Sequence, residues 1–140
     1  MRILIIHAKN FWWKVRQPAK ISLRDEVTEE NAEFKIENAL IAFTAVEKSD
    51  EQNLEKSCER AVEAIKEVAG RVKVKQIILY PYAHLSTNLS KPSTAIKALK
   101  TIHEKLVRQG FSVYRSPFGY YKEFILHCSG HPLAESLRVV

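Results

Sequence analysis

Cysteine is scarce in this chain, and that scarcity argues against two common kinds of small protein. Only Cys58 and Cys128 occur, far apart and in no CxxC pair. A disulfide-stapled domain or a zinc ribbon needs more cysteines at closer spacing, so a reducing, cytoplasmic compartment is expected. No apolar run approaches the roughly 20 residues that span a bilayer. The apolar opening Ile3–Ile6 is too short for a secretory signal and lacks a small-residue cleavage site.

The familiar motifs of nucleotide and hydrolase chemistry are missing as well. The chain contains no P-loop, no GxGxxG, no GxSxG and no HExxH, and no evident Ser-His-Asp or Cys-His nucleophile set. His127 and His131 flank Cys128, but the glycine and proline beside them break the helix that would align the two imidazoles. We therefore predict no metal site and no cofactor.

What remains is a basic chain of one-domain size. Its 140 residues, 46% of them hydrophobic, are enough for a single domain over residues 1–140 with a core of its own. Lys and Arg number 22 against 16 Asp and Glu, a formal net charge of +6. Such a balance favours polyanionic partners, although charge alone leaves nucleic-acid binding open.

Apolar periodicity and turn residues divide the chain into strands and helices. Two amphipathic helices are predicted, one from Ser49 to Gly70 and one from Pro92 to Gly110. A charged, irregular loop is predicted over 17–31. Strands are predicted at 2–7, 11–15 (after a turn at 9–10), 39–46, 74–80, 111–115 and 121–128, with a tail from residue 130. The order predicts an α/β (α+β) fold, a β-sheet with two helices packed on one side.

Two predicted strand ends carry side chains capable of chemistry. The turn Ser116–Lys122 brings a lysine and two tyrosines to the start of the last strand, and Tyr80–Leu85 brings His84 to the end of another. Lys122 is either an exposed strand-edge charge or a cation aimed into a cleft, where it stabilises charge developing on a carbonyl oxygen. His84 is either a hydrogen-bonded structural residue or an acid/base group.

Three further residues each allow two interpretations. Glu135 is either a carboxylate in the first turn of a short helix or an acceptor of hydrogen bonds from an adenine edge or ribose hydroxyl. The adjacent Trp12 and Trp13 face opposite sides of a strand, so one packs in the core. The other is exposed or at an interface, where it could stack on a base.

Six segments of the chain together form a specific order of motifs, although none is decisive alone. In this order they resemble the N-terminal editing domain of archaeal threonyl-tRNA synthetase, whose fold is similar to that of D-aminoacyl-tRNA deacylase. The resemblance covers essentially all 140 residues. The segments that carry it are Ile3–His7, Ala42–Lys48, Tyr80–Ser86, Lys91–Ser93, Pro117–Lys122 and Gly130–Glu135.

The resemblance implies hydrolysis of seryl-tRNA(Thr), a charging error of the synthetase. It implies a metal-independent, RNA-assisted reaction, in which the free ribose hydroxyl of the terminal adenosine helps to activate or position water. The implied partners are the acceptor end of tRNA(Thr), a second copy in a homodimer, and a fused or separate synthetase catalytic domain, since the aminoacylation core is absent. The implied catalytic residues are Lys122, His84 and Tyr121, and the implied substrate-binding residues are Val46, Ala83, Tyr120 and Glu135.

Two alternatives and one question of charge remain open. The same fold could remove D-amino acids from tRNA, or the chain could be a non-catalytic tRNA-binding module. We infer that Lys122 stays charged, because the reference pKa of lysine is about 10.4. A role as a base would require a strongly lowered pKa, which burial could supply.

Overall fold

The first strand, β1, runs through both of the short strands predicted near the N-terminus. In the computed structural model, which describes residues 1–140, β1 spans Arg2–Pro18 without a turn. The register of the β1–β5 pairing shifts between Ala8 and Asn10. In the β1–β2 pairing Lys9 has no partner, and the residue opposite it is Asn38, at a φ of 51°. The predicted turn at 9–10 is therefore wrong. It is a bulge, which bends a strand without ending it.

The six strands form one sheet in the order β4-β3-β2-β1-β5, and β6 pairs with the N-terminal part of β1. The β2–β3 and β3–β4 pairs are parallel, and the three pairs that involve β1 are antiparallel. Parallel neighbours need a crossover connection, which two helices supply. The remaining strands are β2 Glu33–Ala45, β3 Gln76–Pro81, β4 Ser112–Arg115, β5 Tyr120–Cys128 and β6 Glu135–Val139.

The helices are a single turn, α1 (Glu29–Ala32), and the two long crossover helices, α2 (Leu54–Val72) and α3 (Pro92–Arg108). Both long helices pack against one face of the sheet. Ile65 of α2 and Ile102 of α3 are completely buried there. Fully burying such a side chain contributes about 1.5–3 kcal/mol. The predicted α/β class with two helices on one side is confirmed, and no helix is long and apolar enough to cross a membrane.

The ends of α2 differ from the prediction. Ser49 is not its cap, because it lies in a separate 3-10 turn, Lys48–Gln52. The helix begins after Asn53, whose side chain accepts a hydrogen bond from the N–H of Lys56. At the other end the helix continues through Gly70 and stops at Lys73, which adopts the left-handed conformation with a φ of 58°.

The buried carboxylate of Asp50 explains why the 3-10 turn is distinct from the helix. Its oxygens accept hydrogen bonds from the N-terminal ammonium of Met1 at 3.0 Å and from the N–H of Glu47 at 2.7 Å. The carboxylate of Asp50 therefore binds the N-terminal ammonium and the backbone of Glu47 and does not cap α2. Met1 and Val140 also exchange hydrogen bonds, from Met1 N to Val140 O at 3.1 Å and from Val140 N to Met1 O at 2.9 Å.

On the side of the sheet opposite the two helices, the strand β5 folds back over the sheet and covers it. The ring of Phe124 on β5 lies 5.6 Å, between centroids, from the rings of Phe43 on β2 and Tyr80 on β3. These strands are two and three places away from β5, which in a flat sheet would separate them by roughly 10 and 14 Å. The sheet must therefore fold over, so that β5 lies across the ends of β2 and β3. Phe11 and Trp13 are buried inside this fold.

Two irregular regions also differ from expectation. The loop predicted over 17–31 is irregular only over 19–28, between the end of β1 and α1. The predicted C-terminal tail contains β6, and Glu135 is the first residue of that strand. The interpretation of Glu135 as a first-turn helical carboxylate is therefore wrong, because its backbone pairs with Ile6 of β1.

Candidate active site

A cavity of about 470 Å³ opens where the carboxyl ends of β2 and β3 meet the first residues of β5. Because β2 and β3 are parallel, their carboxyl ends lie at the same edge of the sheet. The folded-over β5 closes the cavity from the other side. Most of its lining is apolar, and it is formed by Thr44–Val46, Tyr80–His84, Leu89, Ser90, Pro92, Ala95, Leu99, Phe118–Lys122, Phe124, Ala19 and Ile21.

The cavity brings together six of the seven residues singled out from the sequence: Lys122, His84, Tyr121, Val46, Ala83 and Tyr120. Glu135 does not line it. Glu135 pairs with Ile6, and Ile6 pairs with Ile41, four residues before the cavity-lining Ala45. That is about 13 Å along the strand direction. A role for Glu135 in binding substrate stays a prediction.

Lys122 is half-buried, and its ammonium nitrogen has two close neighbours. Nζ donates a hydrogen bond to the carbonyl oxygen of Pro117 at 2.6 Å and lies 4.6 Å from the ring centroid of Tyr80. Burial lowers the pKa of Lys122 to about 7, although the Asp25 carboxylate raises it in part. A pKa near neutrality differs from the expectation of a lysine that stays charged, and titration of Lys122 tests between them.

The turn that carries Lys122 is clasped by the segment Ala19–Asp25. The N–H of Phe118 donates to Asp25 Oδ2 at 2.8 Å, and the N–H of Asp25 donates to Phe118 O at 3.0 Å. The Tyr120 hydroxyl donates to Asp25 O at 2.8 Å. No sequence signal marks Asp25, because it lies among other charged residues in an irregular loop. Its role depends on a contact across 93 positions of the chain.

His84 lies in a short 3-10 turn, Ala83–Leu85, directly after β3. Its imidazole is exposed, and its ring is 5.2 Å from that of Tyr82 in an edge-on arrangement. The N–H of Tyr82 donates to Thr44 O at 2.8 Å, which holds the start of the turn against the end of β2. His84 is therefore fixed at the cavity wall with its ring open to a ligand. Tyr121, 59% exposed, stands at the rim.

The histidines near the C-terminus do not form a cluster of metal ligands. His131 Nε2 lies 2.7 Å from His7 Nδ1, and the other nitrogen of His7 lies 2.8 Å from Asn38 Oδ1. No three His, Cys, Asp or Glu side chains are grouped so that they could hold a metal ion. His131 thus joins the turn before β6 to the sheet.

The site has the character of one that acts on a carbonyl group or ester. It offers a desolvated lysine that can donate to an oxygen on which charge develops. It also offers an accessible imidazole and phenolic hydroxyls, at the end of an apolar cavity. Such a set can stabilise a developing oxyanion and exchange protons, which suits chemistry at a carbonyl group.

Comparison with known sequences gives the family. The profile described as the archaea-specific editing domain of threonyl-tRNA synthetase matches residues 1–140. The chain is 48% identical over 141 residues to the threonine–tRNA ligase of Staphylothermus marinus. It is 44% identical over 140 residues to the enzymes of Thermococcus onnurineus and Methanopyrus kandleri. The chain belongs to this editing-domain family, as its motif order indicates, and an editing domain is a proofreading enzyme.

These alignments cover 100% of the chain but 22% of each relative, so the chain spans about a fifth of their length. Among solved structures, the c-Myc DNA unwinding element binding protein is similar, with a TM-score of 0.68 over 100% of this chain and 99% of that one. The two sequences are 12% identical, a level at which the likeness shows a shared fold only.

Proposed function

We propose that this cavity hydrolyses seryl-tRNA(Thr) and releases serine, correcting a charging error of a threonyl-tRNA synthetase. The observation that carries the proposal is Lys122, held in an apolar cavity with His84 and Tyr121 at its mouth, in a chain of the editing family. The net charge of +6 is compatible with an RNA substrate. The proposed unit is residues 1–140 as one editing domain, acting in the cytoplasm.

The need for such an activity follows from the chemistry of the two amino acids. Serine lacks one methyl group of threonine, and a missing methyl changes binding by only about 1–3 kcal/mol. A synthetase pocket built for threonine therefore accepts serine at an appreciable rate. Hydrolysis at a second site, which does not cleave the bulkier threonyl ester, restores accuracy.

In the proposed reaction, water attacks the ester carbonyl and its proton passes to the ribose oxygen that leaves. The Lys122 ammonium donates a hydrogen bond to the carbonyl oxygen as negative charge develops there. The free ribose hydroxyl of the terminal adenosine positions the water, with His84 and Tyr121 beside it. Val46, Ala83 and Tyr120 contact the aminoacyl-adenosine, and Glu135 is proposed to bind its base or ribose.

The test compares seryl- and threonyl-tRNA(Thr) as substrates at equal concentration. We expect the seryl ester to be cleaved much faster, and Lys122→Met to abolish cleavage while the protein stays folded. Lys75→Met is the matched control, because Lys75 also lies over an aromatic ring, 5.2 Å from the centroid of Phe111. It is exposed just before β3, at the opposite end of that strand from the cavity.

Other outcomes of the same assay would give the domain a different function. Equal cleavage of seryl and threonyl esters would exclude editing for threonine. Faster cleavage of D-seryl-tRNA than of L-seryl-tRNA would indicate a D-aminoacyl-tRNA deacylase. Salt-sensitive binding of tRNA with no release of amino acid would indicate a binding module.

The partners also follow from the resemblance. We propose that the domain works with a synthetase catalytic domain, fused or separate, and that it forms a homodimer. The exposed apolar side chains on and beside β6, Leu133, Leu137 and Val139, are a surface that a second copy could cover. Sedimentation equilibrium measures this directly. A monomer that still deacylates seryl-tRNA would remove the dimer and leave the catalytic proposal intact.

A further inference from the structure

The turn before β5 is ordered by a residue that lies outside the cavity. Asp25 makes three hydrogen bonds to that turn, two with the backbone of Phe118 and one with the hydroxyl of Tyr120. A fourth bond, from Ala19 N to Gly119 O at 2.9 Å, joins the same two segments. Both segments therefore behave as one unit, and the position of Lys122 depends on it.

The packing around Gly119 shows how closely the two segments approach. Gly119 has a φ of +92°, and a Cβ atom there would lie 2.4 Å from Cγ and 3.0 Å from Cβ of Arg24. The Arg24 guanidinium is turned back onto its own segment, where it donates to Ala19 O at 3.2 Å. The contact leaves no space for a side chain between the segment Ala19–Asp25, called the clasp below, and the turn that carries Lys122.

The electrostatic surroundings of Lys122 single out the same aspartate. No carboxylate lines the cavity, and its titratable side chains besides Lys122 are one imidazole and four phenols. Asp25, behind the turn, is the charged group that acts on the Lys122 ammonium. The titratable side chains that line the cavity with Lys122 are Tyr80, Tyr82, His84, Tyr120 and Tyr121. Asp25 acts on Lys122 from outside the cavity.

We propose that Asp25 is a positioning residue for Lys122, which orders the lysine-bearing turn through its hydrogen bonds and places a carboxylate behind that turn. Its influence on activity rests on the proposed function of the cavity, whereas its influence on the protonation of Lys122 does not. Asp25 itself does not line the cavity. It acts through its hydrogen bonds to Phe118 and Tyr120 in the turn.

Asp25→Asn tests the charge while keeping the shape, since the amide oxygen can still accept the Phe118 N–H. Losing a nearby opposite charge lowers the pKa of a lysine. If the ammonium is the active form, deacylation by Asp25→Asn falls several-fold at pH 8 and stays close to wild type at pH 5.5, where the lysine is protonated in both proteins. Recovery at low pH is the result that a purely structural defect would not produce.

The control is Glu26→Gln, which removes an exposed carboxylate from the next position of the same segment. It is expected to leave the pH profile unchanged. Asp25→Glu keeps the charge and is expected to restore most of the wild-type profile. Asp25→Ser, whose hydroxyl can accept the Phe118 N–H, is a second neutral variant if Asp25→Asn does not fold.

A direct measurement separates this inference from the proposed reaction. In protein labelled with ¹³C at lysine Cε, the NMR signal of Lys122 is identified by its loss in Lys122→Met, and its titration midpoint is read without any tRNA. The midpoint should move to lower pH in both neutral variants at position 25 and stay fixed in Glu26→Gln. An unchanged midpoint in folded Asp25→Asn overturns the inference, whether or not the protein deacylates seryl-tRNA.

Discussion

The ammonium nitrogen of Lys122 sits 4.6 Å from the ring centroid of Tyr80, so the lysine is held over the face of a buried aromatic ring. Two effects act on this charge in opposite directions. The Asp25 carboxylate, the π-face and the Pro117 carbonyl favour the ammonium, whereas removal from water favours the amine. The pKa of about 7 reflects the dominance of burial and lets small changes in pH alter the charge of the site.

The first prediction concerns the pH dependence of deacylation. If the ammonium is the active form, the part of the rate that depends on Lys122 falls as pH rises through about 7. The measurement is single-turnover deacylation of seryl-tRNA(Thr) from pH 5.5 to 8.5, with the rate of Lys122→Met subtracted to remove hydrolysis by hydroxide. A Lys122-dependent rate that rises through the same range would instead show that the neutral amine acts as a base.

The second prediction concerns stability without any substrate. The pKa of Lys122 falls from 10.5, the ordinary value, to about 7 on folding, so between these values the unfolded chain binds a proton that the folded chain does not. The free energy of unfolding therefore rises with pH from about 7 to about 10.5 through this group. Lys122→Met should stabilise the protein most at pH 6, and the gain should shrink by pH 10.

Urea unfolding at the two pH values measures that difference, and Lys75→Met again provides the comparison. Lys75 is exposed, so its replacement should change stability by a similar small amount at both pH values. A gain from Lys122→Met that is the same at pH 6 and pH 10 would mean that the ammonium is not desolvated.

The third prediction uses two glycines with the same backbone conformation. Gly119 and Gly110 both have a φ of +92°, but only at Gly119 would an added Cβ meet other atoms. Alanine at either position costs about 1–2 kcal/mol for the left-handed conformation. Gly119→Ala should cost about 1–3 kcal/mol more, because it forces the clasp away from the turn.

Thermal unfolding of both glycine variants and deacylation at a fixed pH give the two readouts. Gly119→Ala should lose activity as well as stability, whereas Gly110→Ala, in the turn between α3 and β4, should lose stability only. If both variants lost the same free energy of unfolding, the segment Ala19–Asp25 would have to move away from Gly119 with no loss of stability.

The fourth prediction separates the adjacent tryptophans. Trp13 is 1% exposed, is stacked on Phe34 at 5.0 Å, and donates its indole N–H to Asn31 O at 2.8 Å. Trp13→Ala should therefore cost about 3–5 kcal/mol. Trp12 is only half-buried and donates to Glu33 at 2.8 Å, so Trp12→Ala should cost about 1 kcal/mol. Circular dichroism in urea measures both, and a reversed order would contradict the assignment of Trp13 to the core.

Most helices and strands could be predicted because their signals are local. The stripe of α3 and its proline at the first turn fix that helix, and the apolar run of β2 fixes a buried strand. The errors fall where a distant partner decides the outcome. Asp50 is bound to Met1, 49 positions away, so the local capping pattern at Ser49 is overridden. β6 forms because its backbone pairs with Arg2–Ile6 of β1. The short segment Glu135–Val139 carries no local signal of that pairing.

The candidate site was predictable in part for the same reason. Lys122 and His84 follow turn signals at strand ends, and the resemblance pairs them in one site. That Lys122 reaches Tyr80 depends on the fold-over of β5, whose pairing with the long first strand is interrupted by two irregularities. The sequence marks Tyr80 as the first residue of the Tyr80–Leu85 segment without giving it a role, and Asp25 as one charge among many.

The meeting of Met1 with Val140 has a consequence for any polypeptide that continues past the last residue. Val139 pairs with Arg2, and Arg2 pairs with Ala45 in the cavity wall, two strand spacings or roughly 10 Å across the sheet. A tether attached after Val140 would therefore start at the same end of the sheet as the cavity. A flexible tether of n residues reaches about 5–6 Å × √n, so its length, and not the width of the domain, would set how far an attached neighbour lies from Lys122.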